Sequence, residues 1–180
     1  MIATKFTEFE FERLIFRKFR EADFPIVYSW HSDAETMQYR RDGVKTEAET
    51  REFLNNAIAA ANADPCEDFW FAVVCEEVLI GEGILFNDRN EPELGWLVDK
   101  NHWGQGYGTK IGSALLKFAF DTLNLHRVIA CCNVDNHASY RMMEKIGMRR
   151  EGHHLKAKLV GGVWCDRFQY AILREEYNRV

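Results

Sequence analysis

A glycine-rich turn constrains this chain more than any other feature. Residues 103–109 read Trp-Gly-Gln-Gly-Tyr-Gly-Thr, and they lie between an apolar, strand-like run at 93–98 and a helix-like run from 110 to about 124. A turn of this kind leaves backbone N–H groups unpaired at the positive end of the helix dipole. Glycine also lets a ligand approach the backbone closely. The turn therefore predicts a site for phosphate or pyrophosphate.

Length and charge limit the class of protein. A chain of 180 residues with 47% hydrophobic and 28% charged residues is typical of one globular domain, here residues 1–180. The net charge of -5 disfavours a binder of duplex nucleic acid. No apolar run approaches the ~20 residues of a membrane span. Residues 1–8 lack the apolar core of a signal peptide. We expect a cytoplasmic protein with no membrane or nucleic-acid partner.

The cysteines and histidines do not predict a metal site. Five cysteines are present, an odd number without paired spacing, which is typical of free thiols in a reducing compartment. Cys131 and Cys132 are adjacent in a predicted strand, so their side chains point to opposite faces. The histidines also lack the spacing of metal ligands. We expect no metal.

Hydrophobic periodicity predicts a mixed α/β fold of the α+β type. Helices are predicted to begin near residues 23, 33, 46, 110 and 136, with a capping box at Thr46–Glu49, and residues 87–92 are predicted as a turn. This order predicts a mixed, mostly antiparallel sheet of about seven strands flanked by about four helices, not a repeating βαβ array. The predicted strands are residues 13–19, 69–76, 78–86, 93–99, 127–132, 155–160 and 163–173, the last two joined by Gly161-Gly162.

Three phosphate ligands compete for the glycine turn. A P-loop requires a glycine before its lysine, but Lys110 follows Thr109. A dinucleotide fingerprint has two residues between its second and third glycines, whereas only Tyr107 separates Gly106 from Gly108. It also requires an acidic residue at the end of the next strand, where this chain has Cys131 and Cys132. The third ligand is the pyrophosphate of coenzyme A.

Three motifs that follow one another along the chain resemble those of a known protein family. They are Glu-Leu-Gly-Trp-Leu-Val at 93–98, the glycine turn, and Asn-His-Ala-Ser at 136–139 leading to Glu-Lys-Ile-Gly-Met at 144–148. Over most of its length the chain resembles the GNAT superfamily of N-acetyltransferases. Trp103 makes it most similar to the branch that includes the RimJ/RimL enzymes, which acetylate ribosomal-protein N-termini. The resemblance implies a sheet splayed between the fourth and fifth predicted strands.

The resemblance also implies acetyl-CoA as the co-substrate. The turn amides would hold the pyrophosphate, the backbone at 96–98 would pair with the pantetheine arm, and Asn136 would bond the pantetheine near its thioester. The residues implied to bind the cofactor are Trp96, Leu97, Val98, Gly104, Gln105, Gly106, Tyr107, Gly108, Thr109 and Asn136.

The catalytic residues match the family pattern less well. Met143 stands where many relatives have a general-acid tyrosine, and Cys131 stands where some N-terminal acetyltransferases have a glutamate base. An acceptor ammonium must lose a proton before it attacks a thioester directly. We predict Glu93 as the base, with Glu82 as the alternative, and an oxyanion donor at Leu97 or Val98 N–H. Ser139 is the predicted acid for the leaving thiolate, and the Tyr140 hydroxyl is the alternative.

The acceptor is left open among primary amines. A protein N-terminal α-amine is favoured, and a polyamine, amino sugar or antibiotic is the alternative. A non-catalytic acyl-CoA-binding module is the alternative from another class. A homodimer contact through the C-terminal strands is compatible with the sequence. The candidates for acceptor selection are Trp30, His31, Tyr39, Trp164 and Asp166.

Overall fold

The fold is built on one eight-stranded sheet with the strand order β1-β2-β3-β4-β5-β6-β8-β7. A computed structural model describes residues 5–40, 42–87 and 91–177. Neighbouring strands are antiparallel except β5 and β6, which are parallel. The strands are β1 (Phe9–Phe11), β2 (Leu14–Arg17), β3 (Asp68–Cys75), β4 (Val78–Phe86), β5 (Glu93–Val98), β6 (Arg127–Asn133), β7 (Arg149–Val160) and β8 (Val163–Leu173).

Helices cover both faces of the sheet. The capping box predicted at Thr46 is present: its side chain accepts from the Glu49 N–H at 3.3 Å, and the Glu49 carboxylate accepts from the Thr46 N–H at 2.7 Å. The helices are α1 (Phe24–His31), α2 (Ala34–Met37), α3 (Glu47–Asn62), α4 (Tyr107–Lys117, continued as a π-helical segment to Thr122), α5 (His137–Lys145) and α6 (Arg174–Tyr177).

Two hydrophobic clusters, one on each face, hold the sheet and helices together. Along β3, Phe69 and Phe71 pack with α4 and α5, whereas Ala72 and Val74 pack with α1 and α3. Successive side chains of a strand point to opposite faces, so a strand buried on both sides is apolar at nearly every position. This explains the nearly continuous apolar run in β3.

The sheet opens between its two parallel strands. Only Glu93 with Ile129 and Leu94 with Ala130 are paired between β5 and β6. Beyond Leu94, β5 remains paired with β4 alone, up to Val98. The two strands therefore diverge from a short closed end, and the last four residues of β5 face a gap.

The predicted fold class is confirmed, including the splay, since the fourth and fifth predicted strands are β5 and β6. The sheet has eight strands and not seven because Phe9–Phe11 pairs with β2 as a short hairpin. Two of the six helices, α2 and α6, span only four residues each. Residues 88–90 of the predicted turn lie outside the described residues. No helix in the described ranges combines the length and hydropathy that a membrane span requires.

Candidate active site

A cleft of about 700 Å³ occupies the gap between β5 and β6. Its floor is the diverging pair of strands, and its walls include the glycine turn, the N-terminus of α5 and the segment after α2. Strands β7 and β8 contribute the far wall through Lys158 and Arg167. Residues of all three sequence motifs therefore line the cleft, together with residues from segments that carry no motif.

One edge of β5 supplies backbone groups to the cleft. The Asp99 N–H donates to the Ile80 carbonyl at 2.9 Å. Hydrogen-bonded pairs alternate along an antiparallel ladder, so the N–H of Leu97 points to β4 and those of Trp96 and Val98 point into the gap. The indole N–H of Trp103 donates to the Val98 carbonyl at 2.7 Å. Of the two predicted oxyanion donors, Val98 is the one that faces the cleft.

The glycine turn presents further backbone donors. Gly104 and Gly106 have φ values of +75° and +81°, in the left-handed region. The Lys110 N–H donates to the Gly106 carbonyl at 3.2 Å, so the N–H groups of residues 107–109 have no intrahelical acceptor. A β-carbon at Gly104, Gly106 or Gly108 would meet no atom within 4 Å. The space and donors fit a pyrophosphate at the positive end of α4.

Two side chains of the predicted cofactor set point away from the cleft. The Tyr107 hydroxyl lies 3.7 Å from the buried Cys75 sulfur, so this ring turns inward and only its backbone serves the turn. The Gln105 amide reaches back toward the Asn101 carbonyl at 3.5 Å. Gln105 is not among the described residues that line the cleft, whereas Gly104, Gly106 and Thr109 are.

Asn136 combines a structural contact with a free donor. Its side-chain oxygen accepts from the Ser139 N–H at 3.1 Å and caps α5. An asparagine amide has a separate NH₂ group. Since Asn136 lines the cleft, this NH₂ group can serve a ligand while the oxygen holds the helix.

Glu93 lies at the closed end of the splay with a half-buried carboxylate. Arg167 on β8 approaches it at 3.6 Å, an ion-pair distance. Burial, together with the neighbouring Glu93 carboxylate, raises the pKa of the Cys131 thiol to about 12. Cys131 therefore stays protonated near neutral pH and is neither a base nor a thiolate nucleophile.

Ser139 lines the cleft in the first turn of α5. Burial raises the pKa of the neighbouring Cys132 thiol to about 11, and the Ser139 hydroxyl partly opposes that rise. Tyr140, the reserve hydroxyl, packs its ring against Phe168 with centroids 5.8 Å apart and is not among the described lining residues. Met143 is buried in the core.

Glu82 is buried beneath the cleft. It is 0% exposed and accepts from an Arg40 guanidinium N–H at 2.8 Å, and the His31 ring lies 3.9 Å away. Burial alone would raise the pKa of Glu82, but Arg40 and His31 outweigh burial and hold it below its usual value. Arg40 itself lines the cleft, whereas Glu82 is not among the described lining residues. This placement makes Glu82 a support for Arg40.

Only one of the five predicted acceptor-selecting residues, Tyr39, lines the cleft. Trp30 and His31 are buried in the core. Trp164 is 60% exposed. It lies three residues before the cleft-lining Arg167 on β8, so its side chain points to the opposite face of the strand. The Asp166 carboxylate holds the backbone of β7. The sequence reasoning missed Arg40, Lys158 and Arg167, which no local motif marks.

A family model described as "Acetyltransferase (GNAT) domain" matches residues 13–149. This chain belongs to the GNAT acetyltransferase family. It is 38% identical over 169 residues to an uncharacterized N-acetyltransferase, YnaD, of Bacillus subtilis, covering 93% of this chain and 97% of that protein. A GNAT-family acetyltransferase structure from Bacillus anthracis is similar, with a TM-score of 0.85 and 37% identity, covering 94% of this chain and all of the other.

More distant GNAT proteins differ in their acceptors. The ribosomal-protein-serine acetyltransferase of Escherichia coli is 32% identical over 106 residues, 56% of this chain and 58% of that enzyme. The fold also matches a Vibrio cholerae spermidine N-acetyltransferase solved with CoA and spermine, with a TM-score of 0.80 and 22% identity over 92% of this chain and 98% of the other. The predicted enzyme class is confirmed: the chain is a GNAT N-acetyltransferase that uses acetyl-CoA.

Proposed function

We propose that this N-acetyltransferase modifies the α-amino group of a polypeptide. The observation that carries the proposal is the charge balance of the cleft wall. A polyamine carries several ammonium groups and favours a surplus of carboxylates, but the described wall holds three carboxylates, Glu35, Asp42 and Glu93, and three cations, Arg40, Lys158 and Arg167. Glu93 lies 3.6 Å from Arg167 and Asp42 lies 3.4 Å from Lys45, whereas Glu35 lies 3.6 Å from Lys100, a lysine that it shares with the nearer Asp33 at 2.6 Å.

The cofactor half of the cleft fits acetyl-CoA, which supplies an acetyl group activated as a thioester. We assign the pyrophosphate to the N–H groups of residues 107–109, with Gly104 and Gly106 leaving the approach open. The outward backbone of Trp96 and Val98 and the NH₂ group of Asn136 would hold the pantetheine arm.

We assign proton removal to Glu93. An α-amino group has a pKa of about 8, so at neutral pH most acceptor molecules are protonated and a base is required. Of the three carboxylates that line the cleft, Glu93 is the one on β5, at the closed end of the splay. The Ser139 hydroxyl is the donor for the leaving sulfur.

The test is a direct competition between acceptor classes. Purified protein and acetyl-CoA are incubated with a hexapeptide that has a free N-terminal serine, with the same peptide already N-acetylated, and with spermidine. Thiol release gives the rate and mass spectrometry locates the acetyl group. We expect acetylation of the free α-amine and no reaction of the blocked peptide. A higher kcat/KM for spermidine would replace the peptide with a polyamine acceptor.

A further inference from the structure

A small side chamber of about 70 Å³ opens beside the main cleft. Its described lining includes two cations, Lys158 and Arg167, with the Tyr39 ring and the Asn133 amide, and no carboxylate. Six of its eight described lining residues, Cys131 and Arg167 among them, also line the main cleft, so the chamber is a branch of that cleft and adjoins Glu93 at the closed end of the splay.

A bulge in β7 places Lys158 in this chamber. His154 pairs with Arg167 and Lys158 pairs with Cys165, so three residues of β7 lie opposite Asp166. The Asp166 carboxylate holds this bulge: one oxygen accepts from the Lys156 N–H at 2.8 Å and the other lies 2.9 Å from His153 Nε2. The bulge places Lys158 opposite Cys165, on the strand face that also carries Arg167.

The groups facing the chamber are mainly donors. Among the described residues Lys158 has no carboxylate within ion-pair distance, and Arg167 is 3.6 Å from Glu93, too far for a hydrogen bond. The Asn133 side-chain oxygen already accepts from the Asp135 N–H at 2.9 Å, which leaves its NH₂ group for the chamber. Half-buried cations with unused donors favour an anion with several acceptor oxygens.

We infer that this chamber binds a carboxylate of the acceptor, so that the preferred acceptor is an amine with a carboxylate a few bonds away. The inference deepens the proposed function and rests on it for the position of the amine beside Glu93. The chamber is large enough for a carboxylate, and Arg167 spans the short distance between the two sites. A polypeptide with an acidic first or second residue has this chemistry, and so does a free acidic amino acid.

The first experiment compares matched acceptors. The peptide amides Ser-Glu-Ala-Ala and Ser-Gln-Ala-Ala differ by one carboxylate, and free glutamate represents the amino-acid source. We expect wild type to favour the Glu peptide by about tenfold in kcat/KM, the scale of one charge-assisted hydrogen bond. Lys158→Met should abolish this preference by lowering kcat/KM for the Glu peptide to about that for the Gln peptide. The control Lys156→Met removes an exposed lysine of the same strand and should keep the preference.

The second experiment does not depend on turnover. Calorimetry measures binding of N-acetylglutamate α-amide and N-acetylglutamine α-amide to the protein loaded with CoA. Tighter binding of the glutamate compound, lost in Lys158→Met and kept in Lys156→Met, supports the carboxylate site in the chamber. This support holds even if neither peptide is acetylated, because the absence of acetylation would reject only the peptide acceptor. Equal binding of the two compounds, or a preference that survives Lys158→Met, overturns the inference. Faster acetylation of free glutamate than of the Glu peptide assigns the carboxylate to an amino acid.

Discussion

The two halves of the cleft are built from different parts of the polypeptide. The half assigned to the cofactor uses mainly backbone groups of one continuous segment, from Trp96 on β5 to Thr109 in α4, and adds one side chain, that of Asn136 at the start of α5. The half assigned to the acceptor uses side chains from α2, β5, β6, β7 and β8, which are brought together only by the fold. Backbone donors depend on main-chain shape, whereas side-chain sites depend on the identity of each residue. Substitutions should therefore act differently in the two halves.

The two halves of the cleft also differ in the charge of their groups. Around the glycine turn the donors are neutral N–H groups at a helix N-terminus. On the acceptor side, Glu93 is paired with Arg167, and Arg40 is held by the buried Glu82. The acceptor half should therefore respond to pH and to charge-neutralising substitutions more strongly than the cofactor half.

Glu93→Gln should have the largest effect on catalysis. Loss of a general base typically lowers the rate by about 10²–10⁴-fold. We expect kcat to fall by this order at pH 7 while CoA binding is unchanged, as measured by thiol release and calorimetry. The deficit should shrink as the pH rises through about 8, where the α-amine loses its proton unaided. Glu91→Gln, at an exposed glutamate two residues upstream, is the control. An unchanged pH–rate profile would remove Glu93 from the mechanism.

Arg40→Met should have the largest effect on stability. It leaves Glu82 buried without its cation, and removal of one partner from a buried ion pair typically costs about 3–5 kcal/mol. Urea unfolding measures this loss. Lys117→Met removes an exposed helical pair with Asp121 and should cost about 0.3–0.5 kcal/mol. Comparable losses in the two variants would show that the buried pair is not a structural support of the acceptor wall.

The same pair predicts a pH dependence of wild-type stability. The pKa of Glu82 is lowered in the folded protein, so its contribution to stability is complete above about 4.3, the value for an unfolded glutamate. That contribution should be lost as the pH falls through the lower folded value. Glu82→Gln should flatten this part of the stability curve, as measured by urea unfolding at a series of acidic pH values.

Gly106→Val tests whether main-chain shape controls the cofactor half. A β-branched residue strongly disfavours the left-handed φ of +81° at this position. We expect CoA affinity measured by calorimetry to fall by about a hundredfold, with the fold retained by circular dichroism. Gly162→Val introduces the same residue at a φ of +82° in the β7–β8 turn. That control should bind CoA normally, and tight CoA binding by Gly106→Val would contradict the pyrophosphate assignment.

The contrast between the halves explains how far the sequence could predict this structure. Glycine spacing, helix caps and strand alternation are local, and they predicted the glycine turn, the capping box and a mostly antiparallel sheet, whereas the splay of that sheet was implied by the family resemblance. Phe9–Phe11 is too short to show a strand period, and it was missed. Trp30 and His31 looked suitable for a pocket, but burial in the core depends on long-range packing. Lys158 reaches the cleft through a bulge that no local spacing encodes.

Asn136→Asp has the smallest expected effect and separates two contacts of one side chain. Aspartate keeps an oxygen for the Ser139 N–H, and its charge suits a helix N-terminus, so stability should be unchanged or slightly higher. It lacks the NH₂ group, so CoA affinity should fall by about tenfold, the loss of a hydrogen bond within a binding site. Asn136→Ala should lose affinity and also about 1 kcal/mol of stability. Calorimetry and urea unfolding of both variants separate the two effects, and full CoA affinity in Asn136→Asp would show that Asn136 serves the helix alone.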